Sequence, residues 1–228
     1  MKNYESILAF GDSHVAGCEL LTNNSTYDMY LRGDISLEAA DVPGKMLAFP
    51  AIVAKALGIP FYNYAMTGGS NQRSMRILGQ ALRNHPNSLV LFGYTSPDRN
   101  EFYYPGKNLL GHDEDQYLQV GMQWYGPIEK DIKGTKLHNP INDTYVKQFL
   151  HPHNNIDSMA WLVDIACKDV CHLMLNHTTS SFDNWFDFEG HTNYKDWAEE
   201  RNFTKMPYLH YGRDAHEALA QLILKDIQ

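Results

Sequence analysis

The chain has 228 residues, of which 43% are hydrophobic and 20% are charged, so it is long enough to bury the core of one large domain. Its formal net charge is -8 at pH 7, and no basic run is interleaved with aromatic residues, which argues against a nucleic-acid partner. No apolar run approaches the roughly 20 residues of a membrane helix, and no signal peptide is evident. We therefore expect cytoplasmic synthesis and no membrane partner.

The three cysteines, Cys18, Cys167 and Cys171, are an odd number in a long chain, which argues against a disulfide framework. Cys167 and Cys171 have no second pair of ligands at a spacing typical of zinc sites. We therefore expect neither a metal ion nor an organic cofactor. The sequence leaves the oligomeric state open.

Short apolar runs alternate with amphipathic stretches along the chain. The pattern predicts strands at 6–10, 59–64, 88–92 and 170–175, and helices at 49–57, 71–84, 155–169, 193–200 and 214–227. Polar segments near 23–47 and 100–150 are interpreted as insertions, the second with a helix near 143–150. The repeated strand–helix order predicts one α/β domain over residues 1–228, a three-layer α/β/α sandwich with a mostly parallel central sheet.

Each of the first three predicted strands is followed by a polar loop, at 11–14, 67–71 and 93–99. The carboxyl ends of parallel strands meet at one edge of a sheet, where open α/β folds bind ligands. Ser13 follows the first strand and is a candidate nucleophile, which needs a base and donors for the developing oxyanion. Its setting lacks the second glycine of the α/β-hydrolase elbow, which argues against that superfamily.

Two other segments contain the groups that Ser13 would need. The glycine pair at 68–69 allows backbone N–H groups to approach a substrate oxygen closely. His210 precedes the last predicted helix, in a loop that can return to the same edge of the sheet. A late histidine serving an early serine is therefore geometrically reasonable.

Four segments in order resemble the sequence blocks of the SGNH hydrolases, also called GDSL hydrolases: Gly11-Asp12-Ser13, 63–68, 89–93 and 210–216. The resemblance implies a flavodoxin-like α/β/α fold and a serine esterase with Ser13 as nucleophile and His210 as base. It also implies that the backbone N–H of Gly68 binds the oxyanion. The segments 68–71 and 95–99 are similar to SGNH-like proteins encoded by bacteriophages.

The chain departs from the family pattern at two positions. Thr95 stands where the third block has an asparagine, so either the Thr95 hydroxyl or the Asn71 amide is the candidate for that oxyanion donor. Pro207 stands where the last block has an aspartate three residues before the histidine. The acid then comes from elsewhere in the chain, a backbone carbonyl replaces it, or the site is a Ser–His dyad.

Four further residues are candidates for supporting roles. We expect Asp12 to hold the turn through backbone N–H groups, and His14 to form a wall of the cleft. Arg99, close to Glu101, either binds substrate or takes part in a buried ion pair that braces its loop. His216 is a rival to His210 as base, although its place on the apolar face of a helix favours packing or support.

The function expected from these features is hydrolysis of a carboxylic ester on a small molecule or a carbohydrate, such as removal of an O-acetyl or other short acyl group. The replaced asparagine and aspartate leave a second hypothesis, a weak or inactive SGNH-fold module that binds carbohydrate or serves as a structural part, for example in a phage particle. A third is an acyltransferase that passes the acyl group to a sugar hydroxyl.

Overall fold

The structure is a computed structural model that describes residues 2–20, 42–96, 99–103, 117–120, 156–176, 180–206 and 210–227. In chain order its elements are β1 (Ser6–Phe10), α1 (Ser13–Ala16), α2 (Phe49–Leu57), β2 (Phe61–Asn63), α3 (Asn71–Asn84), β3 (Ser88–Tyr94), β4 (Asn100–Tyr103), β5 (Tyr117–Val120), α4 (Ile156–Ala166), β6 (Val170–Met174), α5 (Tyr194–Glu200) and α6 (Arg213–Asp226). The predicted helix near 143–150 and Pro207 lie outside the described residues.

The central sheet has four parallel strands in the order β2-β1-β3-β6. β1 and β3 are fully buried because both faces of the sheet are covered by helices. Ile7 and Ala9 point to the side that contains α2, α5 and α6, whereas Leu8 and Phe10 point to the side of α3 and α4. The predicted three-layer α/β/α fold class is confirmed.

Three local details differ from the sequence prediction. β3 continues through Gly93 and Tyr94, because its ladder with β6 extends to the Tyr94–Met174 pair. β4 and β5 form an antiparallel pair in the segment near 100–150 that the sequence analysis interprets as an insertion. A helical turn at 42–45 lies within the predicted insertion near 23–47. The β4–β5 pair joins segments distant in the chain, so a local pattern gives little sign of it.

The strand order places the candidate site. From β1 the chain moves to β2 on one side and then crosses to β3 on the other. The direction in which the chain adds strands to the sheet therefore reverses between β1 and β3. A crevice forms at such a switch point, outside the carboxyl ends of the two strands. The segment from Gly11 to Ser13 follows β1 there, and Thr95 follows β3.

His216 on α6 joins that helix to α2. α2 begins at Phe49 after Ala48, whose side chain cannot cap the helix. The Phe49 N–H donates instead to Nδ1 of His216 at 3.1 Å, and the two rings stack with centroids 5.8 Å apart. A ring nitrogen that accepts this bond carries no proton, and burial lowers the pKa of His216 to about 3. His216 is therefore a neutral packing residue at pH 7.

No helix within the described ranges combines the length and apolar character needed to cross a membrane. Among the same residues, no group of three or more His, Cys, Asp or Glu side chains is arranged to hold a metal ion.

The depressed pKa of His216 predicts acid sensitivity. The ordinary pKa of a histidine is 6.5 and that of His216 in the fold is about 3, so between these values the folded protein binds fewer protons than the unfolded chain. The free energy of unfolding must therefore fall as the pH falls below 6.5. His216→Asn keeps an acceptor for the Phe49 N–H. Between pH 7 and pH 5 we expect the free energy of unfolding of this variant, measured with urea, to fall by about 2 kcal/mol less than that of the wild type.

His191→Asn is the control, because the hydrogen bond from His191 to Glu200 raises the pKa of His191. A histidine with a raised pKa stabilises the fold more as the pH falls, so this variant should not reduce the fall in the free energy of unfolding at low pH. A His216→Asn protein that loses as much stability as the wild type would contradict the assignment.

Candidate active site

Gly11 shapes the loop that carries Ser13. Its φ of 146° lies in a region that favours glycine, and a β-carbon there would lie 2.6 Å from Cγ2 of Val15 and 3.0 Å from the carbonyl oxygen of Gly93. The loop can pass this closely over the end of β3 only without a side chain. Ser13 then begins α1 and is only 6% exposed.

Asp12 is a fully buried carboxylate at the centre of a hydrogen-bond network. Oδ1 accepts from the His14 N–H at 3.0 Å, which caps α1. Oδ2 accepts from the Thr95 hydroxyl at 2.7 Å and from Nη1 of Arg99 at 2.8 Å. Burial alone would raise the pKa of Asp12, but Arg99, His14 and Thr95 together hold the pKa below its ordinary value. Asp12 is thus a charged brace and not a proton donor.

Asn71 ties the first turn of α3 to the end of β3. Its Oδ1 accepts from the Thr95 N–H at 2.9 Å, and its Nδ2 donates to the Thr95 carbonyl at 3.0 Å. An amide nitrogen has two hydrogens, so Asn71 has a second one to offer, whereas the Thr95 hydroxyl uses its only hydrogen on Asp12. Of the two candidates for this oxyanion donor, Asn71 therefore still has a hydrogen to donate and the Thr95 hydroxyl does not.

The loop after β2 lies directly against the nucleophile loop. The Met66 N–H donates to the Gly11 carbonyl at 3.2 Å, and a β-carbon at Gly69 would lie 3.0 Å from the same oxygen. Gly68 occupies the turn between them with a φ of 75°. Within the described residues, no group accepts a hydrogen bond from the backbone N–H of Gly68 or from that of Ser13. Both N–H groups therefore stay candidates for oxyanion donors.

His210 has a carboxylate partner that the sequence analysis did not identify. Its Nδ1 lies 2.7 Å from Oε2 of Glu19, and the Glu19 side chain is 1% exposed. A carboxylate at Nδ1 selects the tautomer with the proton on that nitrogen, which leaves Nε2 as an acceptor. One signal in the sequence points to Glu19: it is the single acid in an otherwise apolar run that follows the nucleophile loop.

His14 connects this pair to the nucleophile. Its ring lies edge-on to that of His210 with centroids 5.1 Å apart, and it also contacts Tyr194 and Tyr211. Burial lowers the pKa of His14 to about 4; Asp12 opposes the shift and His210 adds to it. His14 therefore stays neutral at pH 7. Because Ser13 and His14 are consecutive, this contact brings His210 to the nucleophile loop.

The predicted site residues fall into four groups. His14, next to Ser13 in the chain, contacts His210 beside Glu19, and Asp12, Asn71, Thr95 and Arg99 form a hydrogen-bond network. Gly68 lies on the adjoining loop. His216 accepts from the backbone of α2. Arg99 pairs with Asp12, while Glu101 forms a separate bidentate pair with Arg76 at 2.7 and 2.8 Å.

Comparison with solved structures finds esterases and lipolytic proteins. A lipolytic protein of the G-D-S-L family from Desulfitobacterium hafniense DCB-2 aligns over 97% of this chain and 98% of its own, with 10% identity and a TM-score of 0.42. The psychrotrophic esterase EstA from Pseudoalteromonas sp. aligns over 98% and 96%, with 14% identity and a TM-score of 0.44. The acetylxylan esterase Axe2 from Geobacillus stearothermophilus aligns over 100% and 96%, with 14% identity and a TM-score of 0.40.

No family model and no curated protein sequence matches the chain. The TM-scores are below 0.5 and the identities are low, so these likenesses say nothing about which residues act. The chain is similar to G-D-S-L lipolytic proteins and esterases, which is the resemblance that its sequence motifs predict.

Proposed function

We propose that the chain is a serine esterase in which Ser13 is the nucleophile, His210 the base and Glu19 the acid that orients His210. The observation that carries the proposal is the 2.7 Å contact between Glu19 and Nδ1 of His210. It supplies the carboxylate that position 207 lacks. With Nδ1 protonated and bonded to a buried carboxylate, Nε2 is free to take a proton, and the imidazolium that results is stabilised.

We infer the following reaction for these groups. Oγ of Ser13 attacks the ester carbonyl carbon while its proton passes to Nε2 of His210. The same proton moves to the alcohol oxygen as the ester C–O bond breaks, which leaves an acyl group on Ser13. Water, deprotonated by His210, attacks this acyl group and regenerates the serine. Among the described residues the Ser13 hydroxyl makes no hydrogen bond to His210, and such bonds often form only with substrate bound.

The oxyanion would be held by the backbone N–H groups of Ser13 and Gly68, with the second Nδ2 hydrogen of Asn71 as the third donor. The available N–H groups on adjacent loops support the first two. The engagement of the Thr95 hydroxyl with Asp12 favours Asn71 over Thr95 for the third. Donors that are held in place before the reaction cost no reorganisation when charge develops.

For the substrate we propose a short acyl group, such as O-acetyl, on a carbohydrate. The glycine pair at 68–69 supports a small acyl group, because residues without side chains let backbone N–H groups approach a substrate oxygen closely. Among the aligned structures, Axe2 is named as an acetylxylan esterase. Rates of hydrolysis of acetylated xylo-oligosaccharides test the carbohydrate part of this choice, and rates with longer-chain nitrophenyl esters test the short acyl group.

The role of Ser13 is tested by Ser13→Ala. We expect kcat for p-nitrophenyl acetate to fall about 1,000-fold or more, because the covalent step is lost. Ser158→Ala on the exposed side of α4 is the control and should keep full activity. A phosphonate that reacts with serine should add one mass increment to the wild type and none to Ser13→Ala. Unchanged hydrolysis by the variant, or a wild type that takes up no phosphonate, would favour a non-catalytic carbohydrate-binding module.

The role of Glu19 is tested by Glu19→Gln. The amide keeps a similar shape but favours the wrong tautomer of His210, so we expect kcat to fall about 100- to 10,000-fold with little change in KM. Glu200→Gln is a matched control, since Glu200 and His191 form another carboxylate–imidazole pair at 2.7 Å on the surface. Equal activity in Glu19→Gln and wild type would reduce the proposed triad to a dyad.

The role of Thr95 is tested by comparing Thr95→Val with Thr95→Ser. Valine leaves the buried Asp12 carboxylate short of one donor, and we expect a loss of about 1–3 kcal/mol in the free energy of unfolding. Serine keeps the hydroxyl and should restore most of that stability. If Thr95→Val instead kept its stability and lost about 100-fold in kcat, Thr95 would be the oxyanion donor.

A further inference from the structure

Glu19 has an unusual backbone conformation. Its φ is 67°, in the left-handed region, although it is not a glycine, and Gly17 two residues earlier has a φ of 72°. This region is unfavourable for a residue with a β-carbon, and such residues persist only where the surroundings hold them. The turn from Gly17 to Leu20 is buried throughout, with the Cys18 N–H donating to the Ser13 carbonyl and the Leu20 N–H to the Gly17 carbonyl.

The surroundings that hold this turn include Gly44. A β-carbon at Gly44 would lie 2.3 Å from the Gly17 carbonyl oxygen, and one at Gly17 would lie 2.5 Å from the Gly44 carbonyl oxygen. The two backbones are therefore in direct contact, with no side chain between them. Any residue larger than glycine at position 44 must push the turn that carries Glu19.

Gly44 cannot easily retreat, because its carbonyl accepts from the N–H groups of Leu47 and Ala48 at 2.9 and 3.0 Å, in the turn that leads into α2. α2 in turn is bound to His216 on α6 through the Phe49 N–H. His210 lies shortly before α6 along the chain, which begins at Arg213. The contact with Gly44 and the histidine that Glu19 meets thus belong to the same packed unit.

We propose that Gly44 is a positioning residue for the acid: its backbone, in contact with Gly17, holds the left-handed turn in which Glu19 reaches His210. The inference rests on the proposed function, in which Glu19 orients the base. The same turn is also hydrogen-bonded to the Ser13 carbonyl through the Cys18 N–H, so the test must separate an effect that passes through Glu19 from one that passes through the serine.

The test is a double-mutant cycle on kcat for p-nitrophenyl acetate with Gly44→Ala, Glu19→Gln and the double variant. We expect Gly44→Ala alone to lower kcat about 10- to 100-fold, because displacement of a catalytic group by about 1 Å has effects of this size. In the Glu19→Gln background the same change should alter kcat less than about twofold, since there is no acid left to misplace. Gly79→Ala is the control: Gly79 is a helical glycine with nothing within 4 Å of an added β-carbon, and kcat should not change.

Reductions that multiply in the double variant, or a Gly44→Ala protein with wild-type kcat, would overturn the proposal. If Gly44→Ala does not fold, Pro43→Gly loosens the same turn without adding atoms. It should lower kcat about threefold or more in the wild type and leave Glu19→Gln unchanged. Activity that survives Ser13→Ala overturns the proposed function itself. If Ser13→Ala and Glu19→Gln are inactive but the effect of Gly44→Ala multiplies with that of Glu19→Gln, only the role of Gly44 is overturned.

Discussion

The buried charge of Asp12 is the constraint on which the arrangement of the site depends. A carboxylate removed from water is costly unless it is paired and hydrogen-bonded, and the fold meets this need with three donors from separate places. The His14 N–H comes from the nucleophile loop, the Thr95 hydroxyl from the end of β3, and the Arg99 guanidinium from the approach to β4. Satisfying this one charge brings the loops after β1 and β3 together, and Asn71 then binds the first turn of α3 to the same point.

Three histidines lie near one another on this side of the molecule, and their environments separate their roles. Burial lowers the pKa of His14 to about 4 and that of His216 to about 3, so both are neutral when the protein is near pH 7. Because both are neutral, neither places a positive charge beside the proposed base. Histidine thus has three roles here: His14 packs against His210, His216 accepts the first N–H of α2, and His210 is the proposed base.

Many features of the site follow from local sequence. The apolar runs at 6–10 and 88–92 predict buried strands, and a parallel sheet then requires the polar loops after them to share an edge. Gly11 and Gly68 both adopt a positive φ, as glycines in tight loops do, and Gly11 lies close to the Gly93 backbone. The β4–β5 pair escaped prediction because it depends on contact between distant segments, and its short strands carry little alternation of their own.

The sequence by itself determined the fold class and predicted both the edge of the sheet for the candidate site and the proposed combination of an early serine with a late histidine. These depend on hydrophobic periodicity and strand order, which short stretches of chain encode. The tertiary structure alone decided which acid meets His210 and which donor serves Asp12. Glu19 and His210 are 191 positions apart, and they meet where the Gly17 turn packs on Gly44 and α6 packs on α2. This packing joins residues that are distant in the chain, so no local pattern of residues predicts it.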